Sequence, residues 1–168
     1  MDAHNMQQEH ITDQHRRLMR EAIQLSKRSL TRKQGGPFGA LIVRRGVVIG
    51  RGWNQVIGPH DPTAHAEVVA IRAACRKLKQ FHLDDCVIYC SCEPCPMCLS
   101  AIYWARLERV YYAGTRQDAA RIGFQDKSLY LELRRPAARR RIPFRTLLGS
   151  DAREVMQQWS QMEGLVKY

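Results

Sequence analysis

Apolar positions recur with a helical period over residues 12–32, where Leu18, Ala22, Leu25 and Leu30 keep one stripe among charged neighbours. Asp13 stands near the expected cap, and Gly35-Gly36-Pro37 stops the run. Two β-rich stretches follow, residues 38–44 and 47–53, joined at Arg45-Gly46, and they read as a hairpin. Asp61-Pro62-Thr63 opens a second helix with a stripe through Val68, Ile71, Ala74 and Leu78. Residues 86–91 are a short strand. Pro94-Cys95-Pro96 starts a third helix, to about Arg106, because a first helical turn tolerates proline. Residues 110–114 read as another strand, 118–133 as helical in parts, and 144–148 as a fifth strand. Ser150 or Asp151 caps a last helix ending near Met162, and Gly164 releases the tail.

Helices alternating with single strands after an initial hairpin predict an α/β domain with a largely parallel sheet and helices on both faces. Such sheets place their sites where strands end and helices begin. The 168 residues fit one domain, 1–168, with a mobile polar extension over about 1–10 and a tail over about 164–168.

Composition narrows the class. At 45% hydrophobic residues the chain can bury a core, so disorder is not expected despite 26% charged residues. No apolar run approaches the roughly twenty residues of a membrane-spanning helix. The first residues lack both a basic start and an apolar stretch, so a soluble, cytoplasmic protein is expected, with no membrane partner. The 27 Lys and Arg against 16 Asp and Glu give a net charge of +11, which attracts polyanions without separating a functional basic face from a solvated one. Of the six cysteines, Cys90, Cys92, Cys95 and Cys98 fall in one short stretch. That clustering favours metal or thiol chemistry over a disulfide framework.

Two motifs carry the candidate chemistry. His65-Ala66-Glu67 stands at the start of the second helix and Pro94-Cys95-Pro96-Met97-Cys98 at the start of the third. Imidazole and thiolate are zinc ligands, and one His with two Cys leaves a fourth position for water. Residues two apart on a regular helix point to different sides, so His65 and Glu67 cooperate only at a helix end. There Glu67 stands beside the water without being a ligand and shuttles its proton. Each motif has a plainer reading. Cys95 and Cys98 could form a redox pair, all four clustered cysteines a closed structural site, and a lone His-x-Glu usually means nothing. The combination, about thirty residues apart, is the signature of zinc-dependent nucleobase deaminases. Cys75, Cys86, Cys90 and Cys92 then read as small core residues or neighbours of the site, and His4, His10, His15, His60 and His82 as surface or loop residues.

The segments Asp61-Pro62-Thr63-Ala64-His65-Ala66-Glu67 and Ser91-Cys92-Glu93-Pro94-Cys95-Pro96-Met97-Cys98 resemble those of the cytidine deaminase-like superfamily. The resemblance runs from about Glu21 to Tyr168 and implies a three-layer α/β/α sandwich with a mixed five-stranded sheet. It also implies one zinc per subunit on His65, Cys95 and Cys98, and Glu67 as proton shuttle. Within that superfamily, Gly35-Gly36-Pro37-Phe38-Gly39-Ala40, Ala101-Ile102-Tyr103-Trp104-Ala105-Arg106, Gly123-Phe124-Gln125-Asp126 and Lys167-Tyr168 resemble the small bacterial guanine deaminases. That branch implies hydrolysis of guanine to xanthine and ammonia by a homodimer with exchanged C-terminal segments. Carried across, Asp126 joins the catalytic set, Asn54 and Ala66 contact substrate, Phe38 and Trp104 form apolar walls, and Tyr168 closes the partner's pocket.

Gly52-Trp53-Asn54-Gln55-Val56-Ile57-Gly58-Pro59-His60-Asp61-Pro62 resembles the tRNA adenosine deaminases equally well, and the positive charge suits tRNA as a partner. A guanosine or cytosine deaminase would share the chemistry, and a non-catalytic zinc module for nucleic acid would leave Glu67 without a task. Gln125 stands where the guanine branch has an acidic residue. Arg134, Arg135, Arg139, Arg140, Arg141 and Arg145 make a local basic patch, read as a solvated or subunit-facing surface or as an RNA contact.

Overall fold

The computed structural model describes residues 11–167, so the N-terminal extension and Tyr168 lie outside the described residues. The chain divides into two compact units, one ending at Gln125 and one running from Asp126, where the sequence suggests a single domain.

The first unit contains helices α1 (Asp13–Thr31), α2 (Ala66–Leu78), α3 (Pro96–Trp104) and α4 (Arg116–Arg121), and strands β1 (Gly39–Arg44), β2 (Val47–Trp53), β3 (Cys86–Cys92) and β4 (Arg109–Gly114). The strand order is β2-β1-β3-β4. Strand β1 is antiparallel to both neighbours, and only β3 and β4 run parallel. The sheet is therefore mixed, as the resemblance implies, and not largely parallel as the alternation of elements suggests, because the hairpin strand β1 sits inside the sheet between β2 and β3.

The expected fifth strand is also corrected. The described sheet has four strands, and residues 144–148 form none. All five of those residues are exposed, Leu147 at 83%, so the segment has neither a ladder partner nor a buried face to hold it extended.

Helix α1 is capped by Thr12, directly before Asp13, and the Thr12 hydroxyl accepts from the His15 N–H. Its Leu18, Ala22 and Leu25 pack against Leu41, Val43 and Tyr89 on one face of the sheet. Ala66, Ala70 and Ala74 of α2 and Ile102 of α3 pack with Ala40, Ile42, Ile88 and Cys90 on the other. The three-layer arrangement follows from that alternation along β1 and β3. Helix α2 lies unusually close to β2, since a Cβ on Gly52 would come within 2.1 Å of the Ala66 carbonyl oxygen.

The second unit holds α5 (Lys127–Arg134), a 3-10 turn at Ala137–Arg139 and α6 (Gly149–Ser160). Helix α6 begins after Leu148, which has φ of 49°, and not at Ser150 or Asp151. Part of the basic patch is tied locally. Glu132 accepts from Arg135 and from the Arg141 backbone, and the Arg140 guanidinium lies 4.8 Å from the Phe144 ring centre. No described helix is long and apolar enough to cross a membrane.

Candidate metal centre and adjoining cavity

The register places Gly39 opposite Trp53 and Ala40 opposite Cys90. The start of β1 therefore meets the ends of β2 and β3, the two strands that lead into α2 and α3. Between β2 and α2, Asp61 accepts from both the backbone and hydroxyl of Thr63, and the Gln55 N–H donates to the Ala64 carbonyl. This turn delays the second helix beyond Thr63 and leaves His65 at the N-cap of α2. Cys95 is the N-cap of α3, with Pro96 first inside it. Neither side chain makes a capping hydrogen bond.

Freed in this way, the two side chains converge with Cys98. Nδ1 of His65 lies 3.6 Å from Cys95 Sγ and 3.5 Å from Cys98 Sγ, and the three donor atoms lie within 4.8 Å of one another. Tetrahedral zinc with ordinary Zn–S and Zn–N bonds separates sulfur from nitrogen by about 3.5 Å. The donor set fits zinc in type and spacing.

The protonation pattern agrees with a ligand cluster. Cys95 is drawn down to about 4, chiefly because the Cys98 thiol donates to it, with His65 also favouring the thiolate. Cys98 moves up, through that same bond and its burial beside Glu67. His65 is raised by its contact with Cys95. Glu67, second residue of α2 and 7% exposed, accepts from the Cys98 thiol at 3.4 Å. Burial pushes its carboxyl above the ordinary range. As a helix-end argument requires, Glu67 and His65 reach the same place although two residues apart.

A cavity of about 480 Å³ opens beside His65, lined by Phe38, Asn54, Val56, Ile57 and Phe124 with Gly35-Gly36-Pro37 at its edge. Phe38 and Phe124 meet edge to face, with ring centres 4.9 Å apart. Asn54 is 4% exposed, and its carbonyl accepts from the hydroxyl of Ser29, a fully buried α1 residue. Ser29 and Phe124 carry no role in the sequence reading. An aromatic after Gly123 in a polar stretch was the available signal for Phe124, whereas Ser29 is inconspicuous on its helix.

Of the other expected site residues, Ala66 buries its methyl in the core. Trp104 stands at the end of α3, 65% exposed and outside the lining of this cavity. Asp126 opens the second unit as the N-cap of α5. His15 is corrected from surface residue to half-buried partner of Tyr89, since α1 turns it inward onto the sheet. Cys90 is buried as expected, and its thiol is pushed well up by burial and by Glu67.

A mixed sheet between helices, with zinc donors on two helix starts and a buried carboxylate beside them, defines a zinc-dependent hydrolase of the deaminase class. Residues 12–114 match the cytidine and deoxycytidylate deaminase zinc-binding region, and the chain belongs to that family. It is 46% identical over 154 residues to guanine deaminase of Bacillus subtilis, a match spanning 92% of this chain and 99% of that protein. The X-ray structure of guanine deaminase from Bacillus subtilis superposes with a TM-score of 0.88 at 45% identity, covering 92% of this chain and 98% of the other. Guanine deaminase from Nitrosomonas europaea gives a TM-score of 0.63 at 30% identity, covering 66% and 64%. A tRNA-specific adenosine deaminase of Buchnera aphidicola is 38% identical over 91 residues, 54% of this chain and 60% of that protein.

Proposed function

We propose that the protein hydrolyses guanine to xanthine and ammonia. The observation that carries this reading is the near-full-length match to a guanine deaminase, joined to a metal-ligand cluster that opens onto a purine-sized cavity in the same unit. The tRNA adenosine deaminase reading has the positive charge in its favour, yet the Buchnera relative matches only about half of the chain.

Zinc on His65, Cys95 and Cys98 would supply Lewis-acid activation of a water molecule. Glu67 would hold a proton on its carboxylate and pass it to the departing amino group. Burial raises its carboxyl, which favours the protonated form that it takes during the transfer. Phe38 and Phe124 give the base apolar surfaces, and Asn54 reads a ring edge. The N–H of Ala66, in the first helical turn, is a further donor in reach of the same end of α2. Asp126, Trp104 and Tyr168 complete the proposed contacts, the first and last as parts of the C-terminal segment.

We also read the protein as a cytoplasmic homodimer of purine catabolism. Support for a dimer comes from the second unit, where Leu147, Leu148, Val155 and Met156 are all exposed. Such a density of exposed apolar side chains marks a surface meant to be covered, and exchange of C-terminal segments between subunits would cover it.

The deciding experiment is ammonia release from free guanine by the zinc-loaded protein, beside Glu67→Gln. Wild-type turnover that drops by about 10²–10⁴-fold in the variant, at unchanged zinc content, is the expected result. Absence of release from guanine, with inosine formed in a tRNA anticodon stem loop, would establish the second reading instead.

A further inference from the structure

The ladder between β1 and β2 breaks off beside the cavity. Gly39 stands opposite Trp53, so Phe38 and Asn54 are the next facing pair. A hydrogen-bonded antiparallel pair exchanges two bonds, and this pair makes one of them. The Asn54 N–H donates to the Phe38 carbonyl at 3.0 Å, whereas the Phe38 N–H turns back to the Gly36 carbonyl at 2.8 Å. The Asn54 carbonyl is thereby released from the ladder, and it accepts from the Ser29 hydroxyl at 2.8 Å. Ser29 has no exposed surface and Asn54 is 4% exposed, so water does not stand in for this hydroxyl.

A serine inside a helix ordinarily returns its hydroxyl to a carbonyl of its own helix. Ser26 and Thr31 of α1 do so, on Ile23 and Lys27. Ser29, between them, reaches across to another element. The helix end fixes its place, because the Gln34 N–H donates to the Ser29 carbonyl and the Lys33 N–H to that of Leu30, with Lys33 at a φ of 51°. This Schellman closure holds Ser29 on the Asn54 carbonyl and carries Gly35 onto the Asn54 amide. With Oδ1 accepting from the Val56 N–H, Nδ2 is the atom left for a ligand in the cavity that Asn54 lines. We propose that Ser29 is a positioning residue of this cavity, whose hydroxyl fixes the Asn54 peptide and so aims Nδ2 at an acceptor atom of the bound base. That aim presupposes the guanine reading, which makes Asn54 a substrate contact; the bond between Ser29 and Asn54 does not.

The test joins amide exchange followed by NMR to kinetics, on zinc-loaded, full-length protein. The variants are Ser29→Ala, Asn54→Ala, the two together, and Leu18→Ala, a buried α1 control that packs against the sheet. In Ser29→Ala the Val56 N–H, whose acceptor is the Asn54 side chain, should exchange at least about tenfold faster. KM for guanine should rise about tenfold with kcat within about twofold of wild type. Leu18→Ala, which also lowers the urea midpoint, should move neither readout. In the Asn54→Ala background Ser29→Ala should change KM by less than about twofold, because the two residues act as one unit. Unchanged Val56 exchange in Ser29→Ala overturns the proposal, as does faster exchange with an unchanged KM. It is overturned equally by a KM rise that persists in full in the double variant, or that Leu18→Ala reproduces. A wild type inert toward guanine overturns the guanine reading instead, and the exchange rates then decide the role of Ser29 by themselves.

Discussion

Asn54 is held from several directions. Its N–H donates to the Phe38 carbonyl, its own carbonyl accepts from Ser29, and Oδ1 accepts from the Val56 N–H at 3.3 Å. Gly35 lies directly against the side chain, and a Cβ there would fall 1.9 Å from Oδ1. Gly35→Ala must therefore displace the amide without touching a zinc ligand. The expected outcome is a KM for guanine raised about tenfold, the worth of one misplaced polar contact, with zinc content unchanged. Steady-state kinetics with metal analysis checks this, and an unchanged KM would remove Asn54 from the substrate contacts.

Among the elements, the contact between α2 and β2 is the one that sets the site, because His65 and Glu67 travel with the helix. At Gly52 the obstacle to a side chain is the Ala66 carbonyl, which cannot swing aside as a side-chain tip can. Gly52→Ala should cost about 1–3 kcal/mol, read as a lower urea midpoint at unchanged slope, and weaken zinc retention. Cys86, at the start of β3 and fully buried, gives an alkaline prediction. Burial and then the Asp85 carboxylate push its thiol up to about 11. Above pH 9 the unfolded chain releases this proton while the native state keeps it to about 11, so stability declines across that window. Thermal melts from pH 8 to 11 should show a steeper decline in wild type than in Cys86→Ala.

The elements of the first unit were legible because each carries a local signal. A stripe, a Gly turn and helix starts with Thr or Pro bounded α1, α3 and β1 to β4 closely, whereas Asp61-Pro62-Thr63 placed the start of α2 too early. The cluster of His65, Cys95 and Cys98 with Glu67 beside it was legible because motif and helix end coincide. The mixed strand direction followed from the resemblance and not from the pattern of elements, since pairing of β1 with β3 is a long-range choice that no local pattern encodes. Residues 144–148 misled for the related reason that β-rich composition provides no partner strand. Phe124 and Ser29 matter only through what the fold sets beside them, Phe38 in one case and Asn54 in the other.

At the scale of the whole molecule, the exposed apolar residues of the second unit and the metal centre of the first lead to separate measurements. Sedimentation equilibrium should give a dimer mass. Removing residues 165–168 should lower kcat/KM for guanine while leaving zinc content intact, if the tail closes a partner's pocket. Full activity of the shortened chain would withdraw that role.

The helix starts that deliver His65 and Cys95 have a consequence for anyone engineering this protein. Serine, threonine or aspartate at a helix N-cap is commonly worth about 1 kcal/mol over a residue that cannot cap. A screen of metal-free protein for heat tolerance would therefore favour His65→Asp and Cys95→Ser, and every winner would have lost a member of the candidate metal cluster. Durability and chemistry compete here for the same two positions, so selection must be run with zinc present and turnover as the criterion.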